Sequence, residues 1–118
     1  METDGAETVI CGDLRRISDY MTIGGEDYVC VMTRGHAFDT VVQAQVLKCH
    51  PTYCGVIGSK FKAAGVRKTL TEEYGLTEEE LDLVITPIGL PIKGETPAEI
   101  AISIAAQMIL HRSERNGL

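Results

Sequence analysis

A chain of 118 residues, 44% apolar and 24% charged, is a single globular domain long enough to bury roughly two-thirds of the surface its unfolded form exposes. Eleven basic against seventeen acidic residues leave a net charge of −6, which argues against nucleic acid or an anionic membrane as partner. No apolar run approaches the ~20 residues of a membrane span, and Met1-Glu2-Thr3-Asp4-Gly5 lacks the character of a secretory signal, so a soluble, cytoplasmic protein is expected.

Thr8-Val9-Ile10-Cys11 is β-branched and ends at Gly12-Asp13, which predicts a strand and its turn. A brief, weakly helical piece from Leu14 to Met21 follows, and Gly24-Gly25-Glu26-Asp27 breaks it. Tyr28 to Met32 is apolar without polar alternation, the pattern of a strand covered on both faces in a parallel sheet. It runs into Thr33-Arg34-Gly35-His36. Asp39 is the expected cap of a helix to about Lys48, with Phe38, Val42 and Val46, together with Val41 and Leu47, as its apolar face. His50-Pro51 stops that helix.

Tyr53-Cys54-Gly55-Val56-Ile57-Gly58-Ser59-Lys60 reads as a buried strand that delivers a helix N-terminus, where unsatisfied N–H groups and the helix dipole favour an anion. An ordinary strand-to-helix turn stays open for this octet taken alone. The helix runs from about Lys60 to Tyr74 and ends at Gly75 in a left-handed position. Thr77-Glu78-Glu79-Glu80 is a capping box for a short helix over Leu81, Leu83 and Val84, and Thr86 to Ile92 is a rigid Pro/Gly segment with room for one very short strand.

The last helix has the plainest signals: Thr96 as cap, Pro97 in the first turn, Glu99 three residues after the cap, and an end near Arg112. Ile100, Ile104, Met108, Ala101, Ala105, Ile109, Ile102, Ala106 and Leu110 give it a wide apolar arc, with Glu99, Ser103 and Gln107 as the clear polar stripe. An arc this wide buries more than one face, and contact with another subunit, a homodimer, is the favoured reading over deep burial.

Alternating strands and helices at this spacing predict one α/β domain over 1–118, a parallel sheet with flanking helices. The loops after the strands then share the edge where open α/β sheets bind ligands, which brings together Thr33-Arg34-Gly35-His36, Gly58-Ser59-Lys60 and the segment around Gly89. Arg34 offers a fork of donors for phosphate or carboxylate, Lys60 a mobile charge, and the Gly58 and Ser59 amides a cradle. His36 is a further donor or acid–base candidate, though a turn histidine is more often a structural hydrogen bonder. Lys62, Arg67 and Lys68 read as a solvated helix face, with extension of the basic rim open for Lys62.

Cys11, Cys30, Cys49 and Cys54 form no C-x-x-C pair, and three lie in apolar runs, so buried hydrophobes are expected rather than metal or disulfide ligands. No catalytic constellation, metal-ligand cluster or G-x-G-x-x-G turn is present, which favours a binding protein over an enzyme.

In Thr33-Arg34-Gly35-His36, the octet Tyr53 to Lys60, Pro87-Ile88-Gly89-Leu90 and Glu95-Thr96-Pro97-Ala98-Glu99-Ile100-Ala101, taken in this order, the chain resembles the XdhC/CoxI family of xanthine dehydrogenase accessory factors. The resemblance runs from about Glu7 to Ile109 and is to the C-terminal Rossmann-like domain. It implies a chaperone-type factor that binds the molybdenum cofactor (molybdopterin), protects it during sulfuration and inserts it into a xanthine dehydrogenase-type molybdenum hydroxylase, with a sulfur- or selenium-transfer protein as a further partner. On that reading Thr33, Arg34, Gly35, His36, Gly58, Ser59, Lys60 and Gly89 bind cofactor. The family's opening strand and G-x-G-H turn are not matched here, nor is its N-terminal domain, so the expectation is a partial domain lacking the first strands: a fragment, a truncated reading of a longer gene, or a reduced form that completes its sheet with a partner. Two other readings stay open: an NAD(P)- or nucleotide-dependent oxidoreductase-like domain, and a non-catalytic oligomerisation domain built on the last helix.

Overall fold

The computed structural model describes residues 7–33 and 36–117, the side chains of 36, 37 and 60 excepted. Three strands, β1 (Tyr28–Val31), β2 (Tyr53–Val56) and β3 (Val84–Ile85), form a parallel sheet in the order β1-β2-β3. Helices α1 (His36–Leu47), α2 (Lys60–Tyr74), the short α3 (Glu78–Leu81) and α4 (Pro97–Arg115) connect and cover them, and a 3-10 turn spans Leu14–Asp19. The result is the α/β, Rossmann-like architecture that the alternation of patterns predicts.

Central β2 is buried at every position, and the period of two divides its side chains between two layers. Cys54 and Val56 join the main core with Val31, Val42, Val46, Leu47, Leu70, Leu76 and Leu81, between the sheet and helices α1 and α2. Each fully buried Leu or Val there contributes about 1.5–3 kcal/mol relative to exposure. Tyr53 and Gly55 face the other way, toward α4: the Tyr53 ring meets His111 edge-on at 5.4 Å, and its hydroxyl donates to Gln107 Oε1 at 2.6 Å. A Cβ on Gly55 would lie 2.5 Å from the Ile88 side chain, so the close approach of β2 to the segment after β3 requires glycine there.

Local signals set the helix ends. Ser59 caps α2 by accepting from the Lys62 N–H at 3.3 Å, and Gly75 closes it at φ 66°. Thr77 with Glu80 and Thr96 with Glu99 each form a complete capping box.

Several expectations are corrected. Residues 8–13 adopt no helix or strand, and Val9 and Ile10 are exposed; β-branched composition does not make a strand where no neighbour pairs with it. Helix α1 starts at His36, so Asp39 lies within its first turn and accepts from the Thr33 hydroxyl instead of capping the helix. Phe38 is exposed rather than on the apolar face. Helix α3 stops at Leu81, because Val84 and Ile85 pair with Cys54 and Gly55 of β2. Helix α4 continues past Arg112 to Arg115. Of the four cysteines only Cys54 is buried.

Of the polar stripe of α4, Ser103 and Gln107 face inward, while Glu99 is exposed. Ser103 is buried and donates to the Leu90 carbonyl at 2.6 Å, while Ile102, Ile109 and Leu110 are exposed. Among the described residues no helix is long and apolar enough to cross a membrane.

Candidate functional site

At the carboxyl end of the sheet, between α1 and α2, lies a cavity of about 450 Å³, within the range of small-ligand sites. Val56, Val66, Leu70, Leu81 and Val84 form its apolar floor. Its polar lining comes from three places: Thr33 after β1 with Asp39 and Gln43 on α1; Gly58, Ser59, Lys62 and Arg67 at β2–α2; and Thr86 after β3.

The β2–α2 turn supplies the anion-favouring end. Gly58 holds a φ of 144°, and a Cβ there would meet nothing within 4 Å, so the backbone is open to an approaching group. Ser59 spends its hydroxyl oxygen as acceptor for the Lys62 N–H and keeps its proton for a ligand. A helix start leaves its first N–H groups without intrahelical acceptors, and α2 has no acidic residue in its first turn to occupy them. Arg67, though on the lining, donates to Glu78 at 2.7 Å and Asp82 at 3.0 Å, and these carboxylates hold its pKa up. Lys62 makes no ion pair among the described residues, so it is the basic lining residue left for a ligand.

The α1 wall is different. Asp39 accepts from Thr33, and one helical turn later comes Gln43, on the same face of α1. Gln43 is only 3% exposed, yet its amide makes no hydrogen bond within the described structure. Among the described residues no fully enclosed polar side-chain atom lacks a partner, so the Gln43 amide meets open space, and the open space beside it is this cavity.

The sequence-predicted residues divide. Thr33, Gly58 and Ser59 line the cavity together. Arg34 and Gly35 lie outside the described residues; His36 and Lys60 are placed as the first residues of α1 and α2, without their side chains. Gly89 is elsewhere: its N–H donates to Gln107 Oε1 at 2.9 Å and its carbonyl accepts from Gln107 Nε2 at 3.1 Å, so its backbone is spent on α4. Its φ of 94° and the contact a Cβ would make with Ser103 explain the glycine there. The third loop reaches the cavity through Thr86 instead.

Lys62 lines the site, as the basic-rim alternative has it, and Arg67 lines it too rather than a purely solvated face. Gln43 and Asp39 were not legible as site residues; their one signal was the spacing of four on a helix that follows a strand's carboxyl end. Burial pushes the Cys54 thiol up to about 12, so it is no nucleophile at neutral pH.

The XdhC Rossmann domain, a family defined by its sequence profile, matches residues 2–108 of the chain. The crystal structure of a xanthine dehydrogenase from Bacillus halodurans is similar over 93% of this chain, with a TM-score of 0.76 and 29% sequence identity. The chain spans 30% of the length of that protein. No curated protein matches it.

Proposed function

The chain belongs to the XdhC family, whose Rossmann domain it carries, and on that premise we propose that it binds the molybdenum cofactor and serves the maturation of a xanthine dehydrogenase-type hydroxylase. The observation that carries this reading is the cavity at the carboxyl end of β2, opened by the uncrowded N-terminus of α2. Its donors fit a phosphate-bearing organic ligand: the Ser59 hydroxyl, the first-turn amides and Lys62 hold the anionic end, with Arg34 and Lys60 adding charge, while the apolar floor takes the ring system. The bound group supplies the molybdenum chemistry of the client; this chain's residues hold it and shield it from water.

Delivery to a client would need a docking surface near the site, and exposed apolar residues at the neighbouring helix and strand ends support that reading. Met32, Phe38, Ile57 and Phe61, at the carboxyl ends of β1 and β2 and the starts of α1 and α2, are exposed apolar residues, Phe61 at 91%.

The test is retention of cofactor by the full chain. Molybdopterin released anaerobically from a xanthine dehydrogenase-type enzyme is expected to co-elute with the chain, read as oxidised-pterin fluorescence. The double variant Arg34→Ala with Lys60→Ala should weaken retention at least about tenfold; no retention by the wild type, or equal retention by the variant, overturns the proposal.

A second role, homodimerisation, is supported by the outward Ile102, Ile109 and Leu110 of α4. Sedimentation across concentration should show a dimer that Ile102→Asp with Ile109→Asp dissociates, and a strict monomer would remove it.

A further inference from the structure

We infer that the α1 wall of the cavity recognises the 2-amino-4-oxo edge of a pyrimidine-type ring, the edge shared by guanine and pterin, through Asp39 and Gln43. The inference rests on the cofactor-binding reading for the identity of the cavity as a ligand site, and adds to it which end of a ligand lies where.

The unspent Gln43 amide is the starting point. A side chain that is 3% exposed and makes no hydrogen bond among the described residues has its donor and acceptor open to the cavity alone, where a ligand can complete them. Its terminal group offers both a donor and an acceptor. One turn before it, Asp39 lines the same cavity with a carboxylate of which one oxygen, Oδ1, accepts from Thr33. Two carboxylate oxygens have about four acceptor sites, so the group still has capacity for two parallel N–H donors.

The ligand edge that satisfies this pair carries two adjacent N–H donors and a neighbouring carbonyl. A 2-amino-4-oxo ring presents its exocyclic amino group and ring N–H side by side, which a carboxylate accepts as a fork, and its carbonyl next to them accepts from the Gln43 amide. Adenine lacks the paired donors, so the same wall rejects it: a site built on buried hydrogen bonds discriminates strongly against an analogue that leaves them unpaired. The apolar floor of Val56, Val66, Leu70 and Leu81 suits the flat faces of the ring. At the far wall the α2 N-terminus and Lys62 favour an anion, so a ligand with a ring at one end and a phosphate at the other enters in one orientation.

The experiment uses phosphate-free probes, so that the ring contact is read separately from the anion contact. The full chain, labelled with nitrogen-15, is titrated with 6-hydroxymethylpterin, guanosine and adenosine, and amide shifts near residues 39, 43 and 56–59 are followed. Saturable shifts are expected with the pterin, the guanosine or both, and these two arms identify which ring the cavity prefers. Adenosine should bind at least about tenfold more weakly. Gln43→Leu and Asp39→Asn should each weaken the preferred ring at least about tenfold. Circular dichroism checks that each variant folds, and Gln43→Glu, which turns a donor into a repelling acceptor, serves as the second change at that position. Equal binding of adenosine, or ring binding indifferent to both Asp39 and Gln43, overturns the inference. If the intact cofactor is retained while the free rings show no response, the ring placement is wrong and the cofactor reading survives; if neither binds, both fall.

Discussion

Two glutamines on opposite faces of one sheet, Gln43 buried and Gln107 half-buried, are used in opposite ways. On the α4 face, Gln107 makes three hydrogen bonds, accepting from the Tyr53 hydroxyl and the Gly89 N–H and donating to the Gly89 carbonyl. On the α1–α2 face, Gln43, only 3% exposed, makes none among the described residues. The first glutamine closes the structure; the second leaves its capacity open in a cavity of about 450 Å³. The helix starts repeat the contrast: Glu99 fills the first turn of α4, whereas α2 has no acidic residue there. One face is finished by its own side chains, and the other is arranged to be finished by something else.

Replacing each glutamine by leucine breaks or sharpens this contrast, with the larger effect on the closed face. Gln107→Leu strands the hydroxyl of Tyr53, which is 1% exposed, and both backbone groups of Gly89. Buried and half-buried groups left unsatisfied in this way cost about 2–4 kcal/mol together, a large share of the roughly 5–15 kcal/mol that holds a typical domain. Gln43→Leu has no bond to lose and puts an apolar group of similar size on an apolar floor. It should shift stability by less than about 1 kcal/mol in either direction. Urea unfolding of the two variants gives the comparison directly, and equal losses would mean that the two faces are not distinct.

Why this contrast was only half legible in the sequence follows from what periodicity encodes. The parallel strands at Tyr28 and Tyr53, the caps at Ser59, Thr77 and Thr96, and the left-handed stop at Gly75 are local, and each is found where its residues place it. The direction of a stripe is not local. Glu99, Ser103 and Gln107 line one side of α4 in any sequence reading, but that Ser103 and Gln107 point at the sheet depends on Leu90, Gly89 and Tyr53, which are distant in the chain. For the same reason the shared edge of the Thr33 and Gly58-Ser59 loops was foreseen, while the diversion of Gly89 to α4 and the arrival of Asp39 and Gln43 were not. Thr8 to Cys11 failed as a strand because pairing, not propensity, makes one.

The smallest of the expected effects concerns the two helix starts and is read through pH. The Glu99 carboxyl is held below its ordinary 4.5, first by the N–H of Thr96, then by that of Glu95 and by the Thr96 hydroxyl. A group whose folded pKa is depressed stabilises the fold above its unfolded pKa, and the contribution disappears as pH falls through the folded value. The α4 start should therefore weaken on acidification from about pH 5 downward, whereas Ser59, which caps α2, carries no proton that titrates there. Glu80 is depressed by the same kind of box at α3, mainly through the Thr77 N–H and then His50, so it adds a second acid-sensitive term. Glu99→Gln keeps an acceptor for the Thr96 N–H but removes the charge. Its unfolding midpoint should accordingly fall less between pH 6 and pH 3 than that of the wild type, with Glu80 accounting for part of the residual slope. Amide exchange at residues 97–99 should speed up on acidification in the wild type beyond the intrinsic pH effect, while residues 60–62 show no such change. Identical pH dependence at the two helix starts would show that the closed face does not rely on its carboxylate, and that the difference between α4 and α2 lies in packing alone.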